Sequence, residues 1–236
     1  MDWSLFAYGD RGWGDELLRG LWVTMALAVT SYTVGLLVGL ASGLIEMGRG
    51  FVIPRLFSAY AAILRSLPEL LVIFAVYFGL ALVLQAVASA AGWTWRPAIG
   101  PFAAGVIAIA AVTGSYVSEV TKGAIAAVPK GQREAAHALG LRPWQTLRLV
   151  ILPLALRHAF PALANIWMAV IKKTPLVSAI QLEDFIRAAG TAGQNTRQYF
   201  VFYGAVIAVY LVLSGLSMLV QHRIETRLER HRGPAR

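Results

Sequence analysis

Four stretches of the chain contain no Asp, Glu, Lys or Arg: Gly20 to Ile45, Leu70 to Trp95, Pro97 to Ser118 and Gln198 to Gln221. Each exceeds the roughly 20 apolar residues that a helix needs to cross a bilayer. A fifth stretch, from His158 to Ile171, is too short by itself and reaches that length only by taking in the turn from Val150 to Arg157. The pattern predicts an all-α membrane protein of about five transmembrane helices, the fourth irregular or only partly embedded. No linker, low-complexity stretch or internal repeat divides the chain, so residues 1–236 read as one membrane domain.

Composition sharpens this picture. Hydrophobic residues make up 58% of the chain and charged ones 14%, against roughly 45–50% and about 25% in soluble domains, which disfavours a water-soluble fold. The N-terminal segment is acidic where a secretory signal would be basic, and it lacks a compact apolar core with a small-residue cleavage site, so the first helix is expected to be retained. There is no cysteine, and the histidines at 137, 158, 222 and 231 are scattered, which leaves neither a disulfide framework nor a metal site to propose.

The net charge of +9 could suggest nucleic acid, but its distribution follows a bilayer. With the N-terminus outside, thirteen Lys and Arg fall on the cytoplasmic side: Arg49, Arg55, Lys122, Lys130, Arg133, Arg142, Arg148, Arg157, Arg223, Arg227, Arg230, Arg232 and Arg236. Seven fall outside: Arg11, Arg19, Arg96, Lys172, Lys173, Arg187 and Arg197. The positive-inside rule therefore favours an external N-terminus and a cytoplasmic C-terminus. Trp13, Trp22, Trp93, Trp95 and Tyr199 sit near span ends, where aromatic anchors are common.

The segment from Val128 to Leu149 is polar and basic between two spans, yet helical in composition. Pro129-Lys130-Gly131 suits a turn, Gln132 to Leu139 are good helix formers with Ala135, Ala136 and Leu139 near one face, and Gly140 suits a left-handed C-cap. A second short helix is expected to begin with Pro143 at its first position and to carry Leu147 and Val150 inward. Such a helix-turn-helix could pack beneath its own bundle or dock on a partner. Its residues read Glu134-Ala135-Ala136, three residues, Gly140, nine residues, then Val150-Ile151-Leu152-Pro153. This matches the EAA loop, at 128–153 here, by which permeases of type I ABC importers engage their ATPase, with Val150 in place of the usual Ile.

The chain resembles the polar amino acid ABC transporter permease family over nearly its whole length, and most closely the Q-type permeases of histidine/lysine/arginine or opine uptake. The resemblance rests on Leu64-Arg65-Ser66-Leu67-Pro68-Glu69 with Tyr77-Phe78-Gly79, on Gly114-Ser115-Tyr116 with Glu119, and on Val128-Pro129-Lys130-Gly131-Gln132 leading into the Glu134 motif. It continues through Leu152-Pro153, Pro161, Asn165, Lys172, Thr174, Leu176-Val177-Ser178 and Leu182-Glu183-Asp184. Lys173, Pro175 and Ser66 depart from the family pattern. The resemblance implies the type I importer permease fold, a second permease subunit, two cytoplasmic ATPases and a periplasmic amino acid-binding protein in the bacterial inner membrane, with no nucleic acid partner. It also implies that Glu134, Ala135, Ala136 and Gly140 couple ATP hydrolysis to transport. The chain has no Gly-Lys dipeptide and hence no P-loop, so it is not expected to be an enzyme; ATP and Mg would be held by the partner ATPase, with no cofactor in this chain.

Ionisable residues inside a membrane are costly and point to function or to pairing. Glu69 follows Pro68, which could break the second helix; its carboxylate either binds a cationic group of a substrate or pairs with Arg65 four residues earlier. Glu183 and Asp184 lie between the fourth and fifth spans, either attracting a cationic substrate or forming a solvated loop pair. Arg65, Lys172 and Lys173 could neutralise these acids or hold a substrate carboxylate, and Glu119, three residues before Lys122, reads as structural. The alternatives from other classes are a stand-alone secondary transporter or channel, against which an odd five-helix bundle without repeats argues, and a structural membrane protein, which leaves the Glu134 motif unexplained.

Overall fold

The long apolar runs become long helices, as bilayer-spanning chains require when every backbone group must be bonded internally. The computed structural model describes residues 3–9, 12–48, 50–94 and 98–229. Its helices are α1 (Gly14–Glu46), α2 (Val52–Ser66), α3 (Glu69–Ala90), α4 (Pro101–Ala126), α5 (Lys130–Ala138), α6 (Pro143–Ile180), α7 (Phe185–Thr196) and α8 (Tyr199–Glu229). Five of these, α1, α3, α4, α6 and α8, are long and apolar enough to cross a membrane. Arg11, Arg49, Trp95, Arg96, Arg230, His231, Arg232 and Arg236 lie outside the described residues.

The packing is organised by α4, buried along most of its length, and α1, which lies parallel to it. Association of helices in lipid depends on close packing and internal hydrogen bonds, because the tails are as apolar as the side chains. Here the contact is made by Ser31, Gly35, Gly39 and Gly43, all buried on one stripe of α1. A Cβ at Gly35 would lie 2.7 Å from Thr113 Cβ, one at Gly39 only 2.4 Å from Val117 Cβ and 2.6 Å from the Gly114 carbonyl oxygen, and one at Gly43 2.9 Å from the Ser118 carbonyl oxygen. The two backbones are therefore in contact over three turns. Around them Leu27, Ile73, Ala108, Val112, Val170 and Val177 form the main core, and Leu17, Phe185, Ala189 and Phe202 a second one at the other end of α1.

Prolines set the breaks. Leu67 is extended (ψ 143°) and Pro68 ends α2, so the interruption falls between α2 and the second span instead of within that span. The third span runs eight residues beyond its charge-free stretch, from Ser118 to Ala126, because Glu119 and Lys122 are paired there. The fourth span is irregular as expected: a π-type stretch occupies Leu147–Ile151, Pro161 lies inside the helix and Thr174–Ile180 tightens to 3-10 geometry. Pro153 and Pro161 have no N–H for the carbonyls of Leu149 and Arg157, so the regular ladder cannot continue through them. The expected second hairpin helix is thus not separate; from Pro143 it runs straight into the fourth span.

Candidate functional site

The polar arm between α4 and α6 has the expected turn at Gly140, but Lys130 and Gly131, expected in a turn with Pro129, already belong to α5, which Pro129 caps. Helix α5 ends at Ala138, and Gly140 sits in the left-handed region at φ 72°. Its N–H donates to the His137 carbonyl (2.9 Å) and the Leu141 N–H donates to the Ala136 carbonyl (3.1 Å), the two bonds of a Schellman motif. The next helix starts with Pro143 at N1, and the Gln145 side chain accepts from the Arg142 N–H at 2.9 Å. Ala136 is buried where α5 packs on the first turns of α6, whereas Glu134, Ala135 and Gly140 are exposed. Leu139 faces away from the protein at 80% exposure, as does Trp144 at 66%, so Leu139 does not share the inward face of Ala136. Leu147 is also exposed and Val150 half-buried; Thr146 is the buried residue of this turn.

A chain of ion pairs runs along α4. Arg65 donates to Glu119 (2.9 Å) and to the Ser115 carbonyl (2.9 Å); Lys122 bonds Glu119 (3.0 Å) and Glu46 (2.5 Å), and the Ser118 hydroxyl donates to Glu46. Glu46 is nearly fully buried, and its charge is balanced where α1 and α4 meet. The structural reading of Glu119 is met. The pairing of Glu69 with Arg65 is not: Glu69 bonds Lys173, with Nζ 2.6 Å from Oε1. The break at Leu67 and Pro68 removes the helical register that would have put residues 65 and 69 on one face. Lys173 also stands 5.2 Å from the ring centroid of Tyr116, within cation–π range. Lys172 is exposed.

Glu183 and Asp184 part company. Glu183 is exposed and bonds Arg187 at 3.0 Å, one helical turn on. Asp184 is fully buried and caps α7, its Oδ1 accepting from the Arg187 N–H at 2.9 Å. Burial pushes its carboxyl up to about 6, with the Arg187 amide pulling the other way. The adjacent Phe185 N–H donates to the Thr24 hydroxyl (3.1 Å), and Gly20 lies directly under the Asp184 carbonyl, tying this corner to α1. Asp184 is therefore not an open acid on a substrate path, as its sequence position suggested; it is a cap packed beneath α1.

Of the basic residues that the sequence offers to neutralise these acids, Lys173 does so for Glu69; Glu46 and Tyr116 carry no such signal as site residues. Glu46 ends one apolar run and Lys122 lies one turn past the end of another, which is the one signal that could have linked them, but their meeting depends on α1 lying parallel to α4.

Five apolar spans with a capped polar arm between the third and fourth define a helical membrane protein of the permease class. The chain belongs to the family of binding-protein-dependent transport system inner membrane components, whose model matches residues 33–230. It is 38% identical to the nopaline transport system permease protein NocQ of Agrobacterium fabrum strain C58, over 92% of each chain. It is 32% identical to the histidine/lysine/arginine/ornithine transport system permease protein HisQ of Salmonella typhimurium strain LT2, over 93% of this chain and 97% of that one. Among solved structures it resembles a crystal structure of an amino acid ABC transporter with histidines, with a TM-score of 0.78 and 30% identity over 91% of this chain and 94% of the other.

Proposed function

We propose that this chain is the membrane permease of an ABC importer for polar amino acids or opines, with a preference for basic ones, working as one membrane domain whose loop at 128–153 receives force from an ATPase. The observation that carries this reading is the Schellman-capped arm. Its outward Leu139 and Trp144 give a partner an apolar surface, while buried Ala136 lies where α5 packs on the first turns of α6, the helix that continues into the fourth span. In this scheme the helix carrying Glu134 and Ala135 sits in a groove of a cytoplasmic ATPase, and Gly140 keeps the turn that transmits motion to α6. ATP and Mg bind to two such ATPases; their closure rotates this permease against a second, related permease and opens the path outward, and hydrolysis resets it. A periplasmic binding protein delivers the substrate. The names of the relatives support amino acids and opines as the substrate class and support the basic preference.

The Lys and Arg asymmetry supports an external N-terminus and a cytoplasmic C-terminus. A reporter fused after Arg236 is then active only on the cytoplasmic side, and an external reporter signal there removes the proposed orientation. The function is tested by reconstituting the permease with its ATPase, partner permease and binding protein and measuring uptake of a radiolabelled panel of amino acids and opines. ATP-dependent uptake of at least one basic member is expected; no uptake of any member rejects the reading.

A further inference from the structure

Glu69 and Lys173 close the crevice in which they meet. The other residues lining it, Ile73, Ala108, Ile109, Val112 and Leu176, are apolar, and the space left is about 10 Å³. That is no more than the volume of about one water position, for which roughly 10–15 Å³ is needed. No amino acid fits inside the crevice while the pair is closed, although 30% of the Glu69 side chain is exposed outside it. A carboxylate in such surroundings needs a cation, and Lys173, at the end of the regular part of α6, supplies it across from the start of α3.

Resting on the importer reading above, we infer that Lys173 is a specificity-determining residue: its ammonium occupies the Glu69 carboxylate in the place a substrate cation would take, closing this chain's own carboxylate subsite to basic amino acids. A tethered group acts at an effective concentration of order millimolar, so a free ammonium or guanidinium at micromolar levels does not displace it. Displacement would also strand the Lys173 charge. Its ammonium's other partner among the described residues is the Tyr116 ring, whose centroid lies 5.2 Å away, and a cation–π contact is weaker than a paired carboxylate. The neighbouring acid offers no substitute, because Glu119 is engaged by both Arg65 and Lys122. Selection of basic substrates in the assembled importer then falls to groups outside this chain.

The test uses the full complex purified without its binding protein and titrated with radiolabelled L-arginine. Replacing the lysine by Lys173→Met, or by the smaller Lys173→Ser, is expected to create a further arginine site per copy of this chain, with affinity raised roughly tenfold or more over any binding at this subunit in the wild type. The double variant Glu69→Gln/Lys173→Met should lose that site. Glu69→Gln alone, whose amide still accepts from Lys173, should leave arginine binding as in the wild type. The inference is overturned if both lysine variants, folded by sizing and ATPase rate, bind no more arginine than the wild type, or if Glu69→Gln alone removes binding. Should neither lysine variant fold, the Glu69→Gln result decides by itself. Absence of uptake by the wild-type importer across the amino acid panel is a separate readout, and it removes the importer reading without bearing on who occupies Glu69.

Discussion

Glycine serves opposite purposes in the α1–α4 seam and in the polar arm. In the seam, Gly35, Gly39 and Gly43 have ordinary helical backbones and are needed for what they lack, since a Cβ at any of them would run into α4. In the arm, Gly140 has open space around it, with no atom within 4 Å of where a Cβ would stand, but its φ of 72° belongs to the left-handed region. One glycine set is a packing device and the other a conformational one. Substitutions at the two regions should therefore fail in different ways.

The seam should give the largest effect. Gly39→Val forces carbon onto the Val117 side chain and the Gly114 carbonyl, both on a helix that cannot retreat without dismantling the core. Overpacking usually costs about 1–3 kcal/mol and more where backbone is struck, so this variant is expected to lose monodisperse protein on sizing in detergent. Gly123→Ala is the control. It lies in α4, the other helix of the seam, but faces open space, and alanine there should be neutral or stabilising by about 0.5–1 kcal/mol. Equal tolerance of both variants would mean that α1 and α4 are not in backbone contact.

Gly140→Val should have a smaller and differently placed effect. Left-handed backbone costs a side-chain-bearing residue about 1–2 kcal/mol, and the strain is confined to an exposed turn. The variant should insert and purify like the wild type yet couple poorly, with uptake reduced several-fold for the same amount of assembled complex. Gly140→Asn, which tolerates this conformation, should retain most uptake. Normal uptake in Gly140→Val, with normal ATPase association, would remove the turn from the coupling mechanism.

The two regions also differ in how far they could be read without coordinates. The arm was legible because its signals are local: Pro143 at N1, Gly140 at the cap and the Glu134-Ala135-Ala136 spacing each act within a few residues. The seam spacing of Gly35, Gly39 and Gly43 was present in the sequence but lay inside an apolar run that already read as a span. Glu69 shows a conflict between two local rules. Pro68 marks a helix break, whereas residues 65 and 69 pair at i,i+4 only on one unbroken helix; the first excludes the second. The actual partner, Lys173, is 104 residues away in sequence and is joined only by packing of α3 against the end of α6. Asp184 before Phe185 carried a readable N-cap signal, which the acidic pair Glu183-Asp184 obscured.

The smallest effect expected extends the seam to its far end, where Gly20 and Thr24 of α1 meet Asp184. The Asp184 carboxyl ordinarily ionises near 3.8 and is raised here to about 6, chiefly by burial. Below 3.8 both the folded and unfolded chains hold the proton. Between the two values the folded chain keeps a proton that the unfolded chain has lost, so this residue's contribution to stability declines as pH rises and levels off above about 6. Asp184→Asn retains an oxygen for the Arg187 N–H and cannot titrate. The detergent-solubilised wild type should therefore lose thermal midpoint relative to Asp184→Asn as pH rises through this window, with the difference constant above it. Asp184→Ala should be less stable than Asp184→Asn by about 1 kcal/mol at every pH, since it lacks the cap. Parallel pH curves for wild type and Asp184→Asn would mean that the carboxyl is solvated and that the close-packed stripe of α1 stops short of α7.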